Sequence, residues 1–518
     1  MSRRPGTSTL SRARPRARLA VAAALLLATG GLALWLVLRD GGGSEEPQPT
    51  AADVLRFHSR PRLDPDRVRV AVPARGRTAP GYVFLAVKRG PGQDGPQIVD
   101  DEGRLVWFHP TPPHMAATGF RVQRYRGQPV LTWWQGRTRL GHGMGEYMIL
   151  DRHYRQVAVV RAGHGYMGDH HELQLTPRGT AYMSIYAPRR ADLSAVGGPR
   201  EGTIFESIVQ EVDVATGRVV WEWHSADHLP VSEGMTAPKE GKPHDYFHVN
   251  SVDEDGRGRL LISARNMHAI YALSKRTGRV LWRLGGERSD FRMGPGARFA
   301  FQHDAQWLPD RGAPRHETIS LFDNEATPPQ ADQSRGLVLR LDMRARTARV
   351  VRQYMHPDKL LSIAEGNLQT LPGGHVFIGW GPQQHVSELT RDGRLLFDLV
   401  VPPRADSYQA FRFPWHGEPL DRPALAAQRG SGANNARVTA WASWNGATEL
   451  RSWQLLAGDD ADALVPLGDP VPRGDFETTL HARTDARYVA VAALDARGRQ
   501  IGASRAVEPQ ARISYNAQ

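Results

Sequence analysis

The sequence has no cysteine, which excludes disulfides, zinc–thiolate sites, iron–sulfur clusters and a thiol nucleophile. Any metal would have to sit on His, Asp or Glu. Helical periodicity is scarce after the first forty residues, and only one long apolar run is present. There is no Gly-x-Ser-x-Gly elbow and no P-loop. Gly163-His-Gly-Tyr-Met-Gly168 matches a dinucleotide fingerprint in letters only, because the residues after it alternate like a strand and open no helix. No basic stripe is interleaved with aromatics, so no nucleic-acid partner is expected despite a formal charge of +12. Arg3, Arg4, Arg12, Arg14, Arg16 and Arg18, all ahead of the apolar run, carry half of that excess. A preference for small anions stays open.

What is present is enough for a large folded protein: 518 residues, 40% of them apolar and 23% charged, sufficient for two or more units. Residues 19–38 form an uncharged stretch about 30 Å long as a helix, the thickness of a bilayer's hydrocarbon layer. The arginines before it and Glu45 and Glu46 beyond it orient the N-terminus inward. This predicts a basic cytoplasmic segment (1–18), a single-pass transmembrane anchor (19–38) and a linker with lead-in (39–79), the bulk of the chain being extracytoplasmic at the cell membrane. A cleaved signal peptide is the competing reading, since Ala28-Thr29-Gly30 is small enough for cleavage.

Beyond the linker, short apolar runs bounded by Gly, Asp and Pro read as strands and turns. One motif recurs, Gly-Arg-[Leu/Val]-[Val/Leu]-[Trp/Phe], starting at Gly103, Gly217, Gly278 and Gly393. The spacings of 114, 61 and 115 predict two degenerate copies, near Arg155 and Thr347, and therefore six units. A second turn signal in each unit, such as Thr176-Pro-Arg-Gly179 or Asp253-Glu-Asp-Gly256, brings the count to four strands per unit. The expected fold is all-β: a six-bladed β-propeller over 80–419, with a pair of β-sandwiches as the alternative. After Pro419 the period ends, and 436–510 reads as a small immunoglobulin- or fibronectin-like β-sandwich with no polar constellation suggesting chemistry.

Aligned on the first turn glycine of each unit, His171 and His248 lie eight residues before Gly179 and Gly256, and His303 nine before Gly312. In a propeller the first strand of each blade lines the axis, so this register sends three imidazoles to one mouth of the channel. Arg265 ends the strand after His248 and adds a permanent cation. Asn250, two residues past His248, shares its face if the segment is a strand. His170 should then point away from His171, into blade packing, while His164, His244 and His268 fall in rim loops. Two chemistries suit three histidines. One is a His₃ metal site for hydrolysis, which a neighbouring guanidinium opposes. The other is covalent transfer of an anionic group through a neutral imidazole, which uses the arginine. A non-catalytic propeller binding anionic aromatic or glycan ligands at the same mouth is a third reading.

Asp245-Tyr-Phe-His-Val-Asn-Ser, Ser263-Ala-Arg-Asn, Val280-Leu-Trp-Arg-Leu-Gly-Gly, Phe301-Gln-His-Asp-Ala and Leu371-Pro-Gly-Gly followed by Ile378-Gly-Trp-Gly resemble the bacterial arylsulfotransferase family over residues 80–415. The resemblance implies a six-bladed propeller that moves a sulfuryl group from a phenolic sulfate to a phenol through a sulfohistidine. It implies no cofactor, no metal and no 3′-phosphoadenosine-5′-phosphosulfate. By motif, His303 corresponds to the sulfated histidine, His248 and Arg265 to residues stabilising the transferring group, and His171 to the remaining channel histidine. Family members carry a β-sandwich before the propeller. Here residues 53–80 are too short for one and the sandwich follows, so dimer contacts made through that domain do not carry over and oligomeric state stays open.

Overall fold

The computed structural model describes residues 47–309, 315–326 and 328–511. The apolar run at 19–38 lies outside them, and among the described residues no helix is long and apolar enough to cross a membrane. The chain divides into units 1–48 and 49–518, and nearly all described structure belongs to the second.

That unit is all-β, with only single-turn helices between strands. Six sheets of four or five strands, antiparallel except for the short edge strand Arg292–Met293, follow one another along the chain. The first joins Tyr82–Lys88, Gly95–Val99 and Leu105–Phe108 to a strand from far downstream, Asp406–Phe413. The sixth, Asn367–Thr370 to Leu395–Val400, takes on its outer edge a strand from upstream, Arg69–Val72. Both ends of the ring are therefore latched by strand exchange, which removes open edges. Arg69–Val72 also means that the ring draws on residues before 80.

Polar side chains stitch each innermost strand to the next. Gln174 Nε2 donates to Asp253 Oδ1 at 2.6 Å, Ser251 Oγ accepts from Ala305 N at 2.9 Å, and Asp304 Oδ2 accepts from Leu368 N at 2.9 Å. Asn367 exchanges two 2.9 Å bonds with the backbone of Ala410, and Arg121 lies over the Phe411 ring at 5.7 Å. With Thr118 Oγ1 donating to His170 O at 2.8 Å, the six inner strands form a closed, propeller-like ring around a polar axis.

The recurring motif marks the fourth strand from the axis of its blade in every copy: Leu105–Phe108, Val219–His224, Val280–Gly285 and Leu395–Val400, the last flanked further out by Arg69–Val72. Its glycine has φ between 69° and 87°, the left-handed region that only glycine enters cheaply. In the two degenerate copies, Tyr154 (φ 61°) and Arg346 (φ 50°) take up that conformation, so the turn persists without its glycine. Apolar side chains between successive blades build the core, for example Leu261, Ile270 and Leu284 against Ile319, Leu321 and Leu339.

Residues 424–503 form two further sheets closing on Val438, Trp453, Leu455 and Val491. The first strand, Ala424–Arg429, starts ahead of 436 and pairs with Arg437–Ser443. This module is hydrogen-bonded to the first two blades: Gly446 N donates to Val106 O at 2.8 Å, Asn445 brackets the backbone of Phe108, and Tyr154 Oη donates to Gly446 O at 2.7 Å. The lead-in clasps it from the other side, Ser59 N donating to Glu477 Oε2 at 2.6 Å.

Candidate active site

His171, His248 and His303 all lie where the chain turns into the innermost strand of its blade: Leu173–Leu175, Val249–Glu254 and His303–Leu308. The shared register of the sequence therefore becomes a shared position. They are 4%, 8% and 2% exposed, so this is a closed site at the head of the axis.

His171 and His248 meet directly, Nε2 to Nε2 at 3.2 Å, with their rings nearly perpendicular. Each is held from behind by a carboxylate: His171 Nδ1 bonds Asp169 Oδ1, and His248 Nδ1 lies 2.5 Å from Asp245 Oδ2. The same Asp245 oxygen is 3.1 Å from His142 Nε2. Burial alone would raise both carboxyls, but the imidazoles around them hold both well below the usual carboxylate range. Burial pushes His171 down to about 3 and lowers His248, against the pull of their carboxylates. His142 ends above its ordinary value, because its bond to Asp245 and the charges of Asp245 and Asp169 outweigh its burial.

His303 is held differently. Asn324 donates its Nδ2 to the carbonyls of Ser362 (3.1 Å) and Glu365 (3.0 Å), which fixes its amide and leaves Oδ1 to accept from His303 Nδ1 at 2.7 Å. The proton is thus on Nδ1 and the lone pair on Nε2, where the Glu365 N–H lies at 3.3 Å. Burial and then the Arg265 charge keep this ring well below the ordinary histidine value, so it is neutral and its Nε2 is a nucleophile in form. Arg265 stacks on Phe301 at 4.9 Å and donates Nη2 to Ile363 O at 3.2 Å, so the loop 362–365 touches both the arginine and the His303 support. Tyr408 presents its ring to His171 (5.5 Å) and His303 (6.2 Å), and Tyr186 to His171 (5.7 Å) and His248 (5.4 Å).

The structure thus brings together His171, His248, His303 and Arg265. Asn250 is fully buried and donates Nδ2 to Gln302 O at 2.7 Å, which braces the residue before His303. The expected face-sharing with His248 does not arise, because His248 (φ 59°) precedes the strand in a left-handed turn and a bulge follows Val249. His170 does not turn away from His171: it stacks on it at 4.0 Å and touches Tyr408, since 169–171 form a turn in which alternation does not operate. Of the rim histidines, His268 sits on Phe301 at 4.1 Å, whereas His164 pairs with Glu222 elsewhere. Asp169, Asp245, Asn324, His142, Tyr186 and Tyr408 went unread in the sequence. Only Asp245, three residues before His248, and Asp169, two before His171, had a local signal.

The three channel histidines are not a ligand set. Among the described residues, the clusters whose donor atoms lie within 4.8 Å of one another here are His142, Asp245 and His248, and Asp169, His170 and His171. In a third such cluster, His356, His385 and Asp398, Asp398 bonds His385 Nδ1 and Ser387 Oγ at 2.7 Å each while His356 Nδ1 accepts the Asp358 N–H at 3.1 Å.

The buried head of the axis thus brings together a neutral imidazole, a carboxylate-backed imidazole pair and a guanidinium. The model of the arylsulfotransferase (ASST) family matches residues 121–401, more than half the chain, and the protein belongs to that family. No curated protein matches it. Among solved structures it is similar to a protein of unknown function from Bacteroides caccae (11% identity, 64% of this chain and 98% of that one, TM-score 0.38). It is also similar to the GH43 BlXynB protein from Bacillus licheniformis (10%, 78% and 92%, 0.30) and a catalytically inactive virginiamycin B lyase from Staphylococcus aureus (9%, 76% and 94%, 0.29). Likenesses this distant say nothing of function.

Proposed function

We infer that the protein is an arylsulfate sulfotransferase that passes a sulfuryl group from a phenolic sulfate to a phenolic acceptor through His303. The observation that carries this reading is the His303–Asn324 bond, which fixes a neutral imidazole with its proton on Nδ1, so that Nε2, once it gives up the 3.3 Å Glu365 N–H, is the attacking atom within the field of Arg265. Nε2 attacks sulfur in line, the S–O bond to the donor phenol breaks, and Arg265 balances charge on the non-bridging oxygens. A phenol with a pKa near 10 leaves poorly as its anion, so the His171–His248 pair supplies a proton to the departing oxygen. The acceptor phenol reverses the path. No nucleotide donor and no metal enters the scheme. The basic N-terminus and apolar run would hold the domain outside the cytoplasm on a membrane anchor.

The test is mass spectrometry of the full chain quenched after adding p-nitrophenyl sulfate. A gain of roughly 80 Da, the mass of SO₃, on the peptide containing His303, lost again on adding phenol, supports the reading. Acceptor-dependent release of nitrophenol that survives in His303→Ala would reject His303 as the carrier.

A further inference from the structure

The imidazole pair at the head of the axis has three close polar contacts in a row: Asp169 to His171, His171 to His248, and His248 to Asp245. Each must hold a hydrogen, since otherwise lone pair faces lone pair. Two neutral imidazoles bring two. If both hydrogens sit on Nδ1 toward the carboxylates, the 3.2 Å Nε2···Nε2 contact is empty; if one moves to Nε2, a ring nitrogen faces a carboxylate oxygen bare. Every distribution that satisfies all three contacts needs a third proton.

We propose that His171 and His248 share one extra proton along their Nε2···Nε2 line, forming a single-charge pair clamped by Asp169 and Asp245, and that this pair is the site's proton donor and acceptor. Around it, Asp169 and Asp245 bring two negative charges, which face Arg265 and a His142 held above its ordinary value. The other rings facing it are His142, His170, His303, Tyr186 and Tyr408, of which His303 is held neutral by its surroundings. The Lys88, Arg89, Glu365 and Asp406 cluster beside Tyr408 balances itself. Burial opposes a charge confined to either ring, His171 most of all, but a proton shared between two nitrogens is confined to neither and titrates as a property of the pair.

The proposal deepens the sulfuryl-transfer reading and, for its chemical role, rests on it. In the first half-reaction the N–S bond to His303 forms, the donor S–O bond breaks and the shared proton goes to the leaving oxygen. The pair is left with a vacant contact between two lone pairs, and so becomes a strong base. In the second half-reaction it takes the acceptor phenol's proton as that oxygen attacks sulfur and the N–S bond breaks. Protons balance over the cycle. Asp245 and Asp169 are positioning residues, and His142, which bonds the same Asp245 oxygen as His248, steadies that carboxylate.

Two measurements on the full chain test this. The first needs no substrate: with histidine labelled at ring nitrogen, magnetic resonance should show His171 and His248 together carrying three ring protons near neutral pH, and two in Asp245→Asn. Two neutral rings with bare Nε2 atoms in the wild type would overturn the proposal, whatever the activity. Ring-nitrogen signals that shift and gain protons on adding a chelator would also overturn it, by assigning these atoms to a metal. The second reads the leaving group. Asp245→Asn should slow turnover of phenyl sulfate by about 10²- to 10⁴-fold and that of p-nitrophenyl sulfate far less, because nitrophenolate leaves without help. His164→Gln, at a ring paired with Glu222 away from the site, should stay near wild type. Equal losses for both donors in Asp245→Asn would reduce the carboxylate to a structural part and overturn the proton role. A shared proton in a protein with no sulfuryl transfer would leave the proton count standing and sink only the functional reading.

Discussion

His303 Nδ1 and Asn324 Oδ1 lie 2.7 Å apart, and because Asn324 spends both amide hydrogens on the carbonyls of Ser362 and Glu365, this contact, seconded by the Glu365 N–H at Nε2, decides that Nδ1 carries the proton. Asn324→Leu removes the acceptor and lets the ring adopt the other tautomer. Sulfuryl transfer should fall by about 10²- to 10⁴-fold, the scale seen where a catalytic histidine is held in the wrong tautomer. The melting temperature, measured alongside, separates this from unfolding. Activity within a factor of a few of wild type would show that the tautomer is fixed by something else.

Arg265 is placed by its shape as much as by its charge. Its plane stacks on Phe301 and its Nη2 reaches Ile363 O. Arg265→Lys keeps the charge and loses both, so kcat should drop by about 10²- to 10³-fold with a smaller change in KM. A change confined to KM would make the guanidinium a binding group only.

With His303 held below its ordinary value by burial and by Arg265, its neutral form persists into mild acid. A group whose pKa is lowered loses its free base only below that lowered value, so turnover of p-nitrophenyl sulfate should show no loss of nucleophile between about pH 7.5 and 5.5. An acid limb centred near an ordinary histidine, present in wild type and moved by Asn324→Leu, would contradict this.

Asp304, next to His303, is pushed up to about 7 by burial, and its two hydrogen-bond donors do not offset this. The folded protein therefore holds a proton that the unfolded chain has already released. The stability this confers is complete below about pH 4 and lost as pH rises through about 7. Asp304→Asn, which cannot ionise, should melt higher than wild type at pH 8 and show a shallower decline in melting temperature from pH 5 to 8. Asp66, also raised to about 7, leaves part of the slope in both proteins.

Tyr154 joins the second blade to the C-terminal module. It donates to Gly446 O, accepts from Trp415 Nε1 at 3.1 Å and stacks on Trp107. Tyr154→Phe keeps the stack and strands a carbonyl and an indole N–H, a loss of about 1–3 kcal/mol readable in urea unfolding, with transfer activity unchanged. An unaffected midpoint would mean that the module adds nothing to the ring's stability.

The blade count was legible because the outer-strand motif repeats a physical need: a left-handed turn and an aromatic that closes the strand. It was faint where Tyr154 and Arg346 accept the strained conformation in place of glycine. The site was half legible. Register found His171, His248 and His303, which are equivalent positions in successive blades. What supports them is not periodic: Asn324 stands 21 residues beyond His303, just past the end of the neighbouring strand, and His142 stands 103 before the carboxylate it shares with His248. Side-chain alternation misled at Asn250 and His170, since both histidine turns precede their strands. The apolar run at 19–38 lies outside the described residues.

The two latches of the ring differ in what they would do under load. A pull on the upstream end of the domain is met by the Ser59 bonds to Glu477 and then by Arg69–Val72, four residues paired along the rim of Leu395–Val400. They can unzip while Asp406–Phe413, which carries Tyr408, stays stitched between Tyr82–Lys88 and Asn367 at the hub. Mechanical tension is thus absorbed at the periphery, and the hub keeps its histidines in alignment.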